Sequence, residues 1–440
     1  MFTGELLAAA REHPGDDAII WRGASTTYGE LLASIARWSE RLREAGVGAG
    51  TVVALDTDFS PEAVAALLAL IDAGCVVVPL SSAVRDQKSE LVAIAEVEVI
   101  IDFEIRRTGV IATHELLVRL RREGHPGLIL FSSGSTGKVK AAVHDFVPLL
   151  SKFSVRRARR RMLAFLLFDH IGGINTLLYV LSNAGCLVTI DDRSPEAVCA
   201  AIEKYRVQVL PTTPTFLRLL LLSGAQSGAN LGSLELVTYG TEVMPEHTLR
   251  QLHDVLPNVE LQQTYGLSEL GILRSKSKAS DSLWVRIGGE GFETRVRDGL
   301  LEIRARSAML GYLNAPSPFT EDGWFRTGDA VEVEGEYMRI LGRQSELINV
   351  GGEKVYPAEV ETVLESMEGV EEAAVAGEKN AIIGQIVVAR VKLSTEETLG
   401  EFRTRMRNWC RGRLAPFKIP QKVVLVDRAM HGDRFKKLRR

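Results

Sequence analysis

A chain of 440 residues, 46% hydrophobic and 25% charged, has apolar material for a large core and length for more than one domain. Its 53 Lys and Arg stand against 56 Asp and Glu, a formal net charge of -3. No overall field therefore draws it to nucleic acid, and the basic tail Arg434-Phe435-Lys436-Lys437-Leu438-Arg439-Arg440 reads on charge alone as a solvated end. The start, Met1-Phe2-Thr3-Gly4-Glu5, lacks a basic-then-apolar leader, and the apolar runs stop well short of the roughly 20 residues that cross a bilayer. Cys75, Cys186, Cys199 and Cys410 stand far apart among apolar neighbours. Secretion, a membrane span and a zinc site are not expected; a cytoplasmic protein with reduced thiols is.

Taken along the chain, residues 28–45 have helical spacing, 51–55 read as a strand, 61–73 as a helix and 75–80 as a buried strand. The alternation predicts β-α-β units, a mainly parallel sheet, and chemistry in the loops at strand ends. An apolar strand over 129–131 runs into Ser132-Ser133-Gly134-Ser135-Thr136-Gly137-Lys138-Val139-Lys140. A helix over 174–181 follows the segment Phe168-Asp169-His170, and short strands are expected over 185–190, 207–210 and 234–238. Between 287 and 303 apolar and polar residues alternate, as in antiparallel strands with one wet face. Beyond Gln344 the pattern gives a helix over 357–368, strands over 370–376 and 383–393, and a helix over 395–414. The expected fold is α/β: a large domain of residues 1–343 with mainly parallel sheets and a small β-rich subdomain, then a small mobile α+β domain of residues 344–440.

The segment 132–138 has the composition of a phosphate cradle. Glycines let backbone N–H groups approach phosphate oxygens, hydroxyls donate further bonds, and lysine adds charge. The alternative is a surface turn of small residues. A Walker A loop is excluded, because only Ser135 and Thr136 separate Gly134 from Gly137-Lys138, and Val139 stands where Ser or Thr would meet Mg²⁺.

This segment resembles the signature loop of the adenylate-forming superfamily, which holds acyl- and aryl-CoA synthetases, non-ribosomal-peptide adenylation domains and firefly-type luciferases. Other motifs follow in that superfamily's order over nearly the whole chain. Tyr239-Gly240-Thr241-Glu242 resembles the segment that lines the adenine, and Thr264-Tyr265-Gly266-Leu267-Ser268-Glu269 resembles its Tyr-Gly-x-Thr-Glu motif, with Ser268 for threonine. Thr327-Gly328-Asp329 resembles its ribose-binding motif, and Gly342-Arg343 followed by 348–361 resembles the start of its mobile C-terminal domain. The resemblance implies that Ser132, Ser133, Gly134, Ser135, Thr136, Gly137 and Lys138 hold the triphosphate. It implies further that Glu269 holds Mg²⁺, that Tyr265 stacks on the base, and that Gly240, Thr241, Glu242, Gly266, Ser268 and Arg343 complete the ATP site. Singly, Glu269 also reads as a helix-start acid, Asp329 as a turn former, Arg343 as a surface charge and Tyr265 as a core tyrosine.

The implied reaction is attack of a small-molecule carboxylate on the α-phosphate of ATP, with pyrophosphate released and an acyl-adenylate formed. The acceptor implied is CoA; a carrier-protein phosphopantetheine arm or an amine are the alternatives, as is a protein that binds nucleotide without turnover. The family's C-terminal lysine maps to Lys436, with Phe435 in place of the usual glycine and Lys437 as a neighbouring rival; both lysines also read as exposed tail charges. His170 falls at an acyl-pocket position. Asp169 reads either as an amine-pairing residue displaced by one or as a helix N-cap. Ser345 stands at the hinge, where relatives usually carry aspartate or lysine.

Overall fold

Alternate residues of the first strands divide between two cores. Val53 and Leu55 point into one apolar cluster while Val52 and Ala54 enter another, as a strand buried on both faces requires. The computed structural model describes residues 2–102, 104–133 and 138–439, with only the backbone of Ser133.

Among the described residues there are two seven-stranded sheets. One runs Glu260–Gln263, Leu236–Tyr239, Val209–Thr212, Arg161–Leu163, Cys186–Val188, Asp17–Trp21 and Ala24–Thr27, parallel except for its last pair. The other runs Gly311–Tyr312, Val139–Asp145, Gly127–Ser133, Val76–Leu80, Val52–Asp56, Val99–Ile101 and Ile105–Arg107, with a parallel centre and antiparallel edges. Helices Tyr28–Glu44, Pro61–Asp72 and Ile171–Ser182 lie between them and share one core with both sheets. Thr27 and Glu30 start the first helix as a reciprocal capping box, and Ser60 with Pro61 starts the second. The sequence reading omits the hairpin Asp17–Thr27. Its two-residue turn, Arg22-Gly23, takes positive φ at both positions (50° and 84°), the geometry that suits a twisted hairpin.

A six-stranded antiparallel sheet follows, including Phe292–Arg297 paired with Leu300–Ala305 and Phe325–Glu334 paired with Tyr337–Arg343. The next strand, Ile348–Val350, belongs to a separate five-stranded sheet packed on helices Pro357–Glu365 and Leu399–Cys410. Ser345 lies exposed in the short turn Gln344–Glu346 between them. Helix Leu399–Cys410 is shorter at both ends than its pattern predicts. Thr398 caps it in a box with Glu401, and Gly412 at φ 78° turns the chain away. No helix among the described residues is long and apolar enough to cross a membrane.

Candidate active site

Three groups of side chains converge where the sheets' loops meet the C-terminal segment. The first sits at the end of strand Gly127–Ser133. Ser132 Oγ donates to Glu269 Oε1 at 3.2 Å and the Tyr312 hydroxyl donates to the same oxygen at 2.8 Å. Among the described residues Glu269 Oε2 has no hydrogen-bond partner. Lys138 is exposed just beyond, and Gly134, Ser135, Thr136 and Gly137 lie outside the described residues. The Ser268 carbonyl accepts a 2.6 Å bond from buried His144, which fixes the backbone next to Glu269.

The second group is built on facing strands. Asp329 and Arg343 are cross-strand partners, with Arg343 Nε 3.2 Å from Asp329 Oδ1. The Tyr265 hydroxyl donates to Asp329 Oδ2 at 2.5 Å. Burial raises the Asp329 carboxyl above its usual range, with Arg343 opposing that rise. The Tyr265 ring packs in the core of the β-rich sheet, and its polar end steadies Asp329. Gly240 allows close approach here: a Cβ on it would lie 2.6 Å from the Thr264 carbonyl. Thr241 then turns with φ 74°, and Gly266 lies in the two-stranded hairpin with Gly271–Ile272.

The third group surrounds Lys436. A Cβ on Gly173 would fall 2.0 Å from the Leu167 carbonyl, so only glycine lets helix Ile171–Ser182 begin against that backbone. His170 caps this helix, its Nδ1 accepting from Gly172 N at 3.0 Å. Burial, then the charges of Lys436 and Arg434, hold the imidazole well below its ordinary pKa. It is neutral, and the bond to Nδ1 leaves the proton on Nε2. The cap role weighed for Asp169 therefore falls to its neighbour. Asp169 is buried, its Oδ2 accepting from Ser81 Oγ at 2.8 Å and from Arg434 at 3.2 Å.

His170, Leu166, Leu167, Thr241, Arg434 and Lys436 line one small cavity. The Lys436 ammonium has no hydrogen-bond or ion-pair partner among the described residues. Burial pushes it down to about 8; Glu242, Arg343, Arg434 and Glu269, drawn from all three groups, act on it electrostatically.

The solvated reading of the tail is corrected. Lys437 Nζ lies 2.6 Å from Glu365 and 3.5 Å from Glu361, and Arg439 binds Glu361 and Glu346 at 2.8 Å. Two fully withdrawn carboxylates on helix Pro357–Glu365 demand cations, and the tail supplies them. Glu242, read as an adenine contact, bonds Thr215 Oγ1 and the Lys437 backbone N–H, both at 2.6 Å. Sequence reasoning also missed Arg218. This buried arginine in the otherwise apolar helix Pro214–Ser223 donates to the carbonyls of Glu365, Val370 and Glu371 at 3.1, 2.6 and 2.7 Å. A lone arginine among leucines in Thr-Phe-Leu-Arg-Leu-Leu-Leu was the signal for it.

The AMP-binding enzyme family matches residues 6–292 and the AMP-binding enzyme C-terminal domain matches residues 359–434. Indoleacetate–CoA ligase of Aromatoleum aromaticum is 28% identical, over 94% of this chain and 92% of the relative. Feruloyl-CoA synthase of an Amycolatopsis species is 27% identical, over 95% and 94%. Among solved structures, o-succinylbenzoate CoA synthetase of Bacillus subtilis with its acyl-adenylate superposes with a TM-score of 0.78 at 22% identity, covering 99% of this chain and 97% of the other. An anthranilate CoA ligase with anthranoyl-AMP gives 0.84 at 18% identity, over 100% and 95%.

Proposed function

Since the chain belongs to the AMP-binding enzyme family, we propose a division of labour among its residues for that family's chemistry. The enzyme is an AMP-forming ligase: a carboxylate displaces pyrophosphate from ATP, an acyl-adenylate forms, and the acyl group passes to the sulfur of CoA. Lys436 is the cation that meets the reacting carboxylate and the α-phosphate. The observation that carries this reading is its half-buried ammonium, without a partner among the described residues and lining one cavity with a neutral histidine. His170 donates from Nε2 and steers the acid. Ser132, Lys138 and the residues between them hold the triphosphate. Asp329, steadied by Tyr265 and Arg343, accepts the ribose hydroxyls.

Mg²⁺ fits Glu269, since one carboxylate oxygen takes both protein bonds and the other is left to a cation. Bound there, it would offset phosphate charge. The acid carries no α-amino group, because Asp169, the carboxylate next to His170, is already engaged by Arg434 and Ser81. Phe165, Leu166 and Leu167 on the cavity wall suit an apolar or aromatic acid. Residues 1–343 and 344–440 act as two domains that rearrange about Ser345 between the half-reactions. Four buried, unpaired cysteines suit the reducing cytoplasm.

A panel of aryl and alkyl carboxylates assayed for pyrophosphate release, with and without CoA, tests the reading. Aryl acids should release pyrophosphate and yield CoA thioesters, and silence across the panel with ATP present would sink it. Glu269→Gln should cut pyrophosphate release about a hundredfold and shift the Mg²⁺ requirement upward. A wild-type Mg²⁺ titration in that variant would remove Glu269 from the metal site.

A further inference from the structure

Residues 431–437 fold back as a small hairpin. His431 and Lys437 pair across it, Gly432 N donates to the Lys436 carbonyl at 3.2 Å, and Phe435 N donates to the Gly432 carbonyl at 2.8 Å. At its tip Phe435 takes φ 49°, a left-handed conformation that suits glycine and that bulky residues seldom adopt. Such backbone persists where the surroundings over-determine it.

Here the surroundings are an aromatic nest. The Phe435 ring centroid lies 5.2 Å from that of Phe165 and 5.6 Å from that of Phe216. The ring is stacked on His431 at 5.6 Å, and the Arg193 guanidinium sits 5.4 Å from its centroid. The Phe435 carbonyl accepts from Thr213 Oγ1 at 2.9 Å. Phe165 and Phe216 are buried members of the core on one face of the first sheet, and Phe435 packs against that core from the far end of the chain. The residue immediately before Lys436 is thus fastened into the core that carries the nucleotide-side loops, and Arg434 is fastened to Asp169 beside it.

We propose that Phe435 is the positioning residue for Lys436: its ring anchors the hairpin so that the ammonium is held in the cavity beside His170, and it retains the adenylate-forming arrangement. This rests on the role read above for Lys436. Glycine at 435 would satisfy the turn without strain and would lose the anchor.

The full-length enzyme tests this with Phe435→Gly and the conservative Phe435→Leu. The first readout needs no substrate: Lys436 is acetylated with acetic anhydride and the modified peptide is quantified by mass spectrometry. Phe435→Gly should label about tenfold faster than wild type, the scale set by loss of one buried ring, while Phe435→Leu stays close to wild type. The second readout uses the best acid from the panel. In Phe435→Gly the kcat for pyrophosphate release should fall about tenfold with KM for ATP unchanged, and thioester formation from supplied acyl-adenylate should not fall. Unchanged Lys436 labelling in Phe435→Gly would overturn the proposal. So would an equal loss in both half-reactions, the mark of a general structural defect. If Phe435→Gly does not fold, Phe435→Ala replaces it, with labelling expected to rise from Phe through Leu to Ala. Faster labelling in an enzyme that releases pyrophosphate from no acid upholds the anchor and sinks the activity reading instead.

Discussion

Lys436→Ala should slow pyrophosphate release by about a hundredfold or more, the scale for removing one preorganised charge at a transition state. Thioester formation from supplied acyl-adenylate should survive, because in the proposed role the ammonium serves only the step in which charge grows at the α-phosphate. The pH profile gives an independent check. In that role Lys436 acts as a cation, and burial pushes its pKa down to about 8, so kcat/KM for the first half-reaction should hold below that pH and decline as the proton leaves above it. In Lys436→Ala that alkaline decline should vanish. A variant that kept the wild-type rate and the wild-type limb would assign the catalytic cation elsewhere.

The neighbouring lysine should fail differently. Lys437→Ala leaves Glu365 and Glu361 buried with one cation fewer, and should destabilise the C-terminal module by about 3 kcal/mol, the lower end for a broken buried pair because Arg439 still holds Glu361. The charge alone suggests a replaceable surface residue; the contacts say otherwise. Glu361 is held well below the ordinary carboxylate range: burial opposes this, and Lys437 and Arg439 overcome it. A carboxyl depressed in the folded state stabilises above its unfolded pKa and loses that contribution as pH falls through the folded one. With Lys437 removed the depression shrinks, so acid unfolding should begin at higher pH than in wild type. Denaturant melts at neutral and acid pH check both points, and a melt identical to wild type would leave the pair without energetic weight.

What was legible in the sequence was local. Thr27 with Glu30, Ser60 with Pro61, and the two-residue alternation of strands such as Leu300–Ala305 announce themselves within a few positions, and those elements lie where expected. Glu269 and Asp329 stand out because each sits in a short recognisable run, whereas the bond from the Tyr265 hydroxyl to Asp329 joins residues 64 apart and no local pattern announces it. The tail was misread for a physical reason. Its meaning lies in partners 72 residues away for Lys437 and Glu365 and 265 residues away for Arg434 and Asp169, and nothing local distinguishes a lysine awaiting a buried carboxylate from one awaiting water. Arg218 shows the converse, since a charge inside an apolar helix signals a distant partner without naming it.

The cavity beside Lys436 has about 10 Å³ of room, roughly enough for one water. An acid does not fit a space of that size. On the role proposed for Lys436, loading would require the hairpin 431–437 to withdraw, and capture would then be paced by how often it withdraws rather than by diffusion. Raising the acid concentration should speed capture only to a plateau, and that plateau measures the opening frequency. An active site with this timing gives up speed of capture and, in exchange, keeps water from a mixed anhydride that it would otherwise destroy.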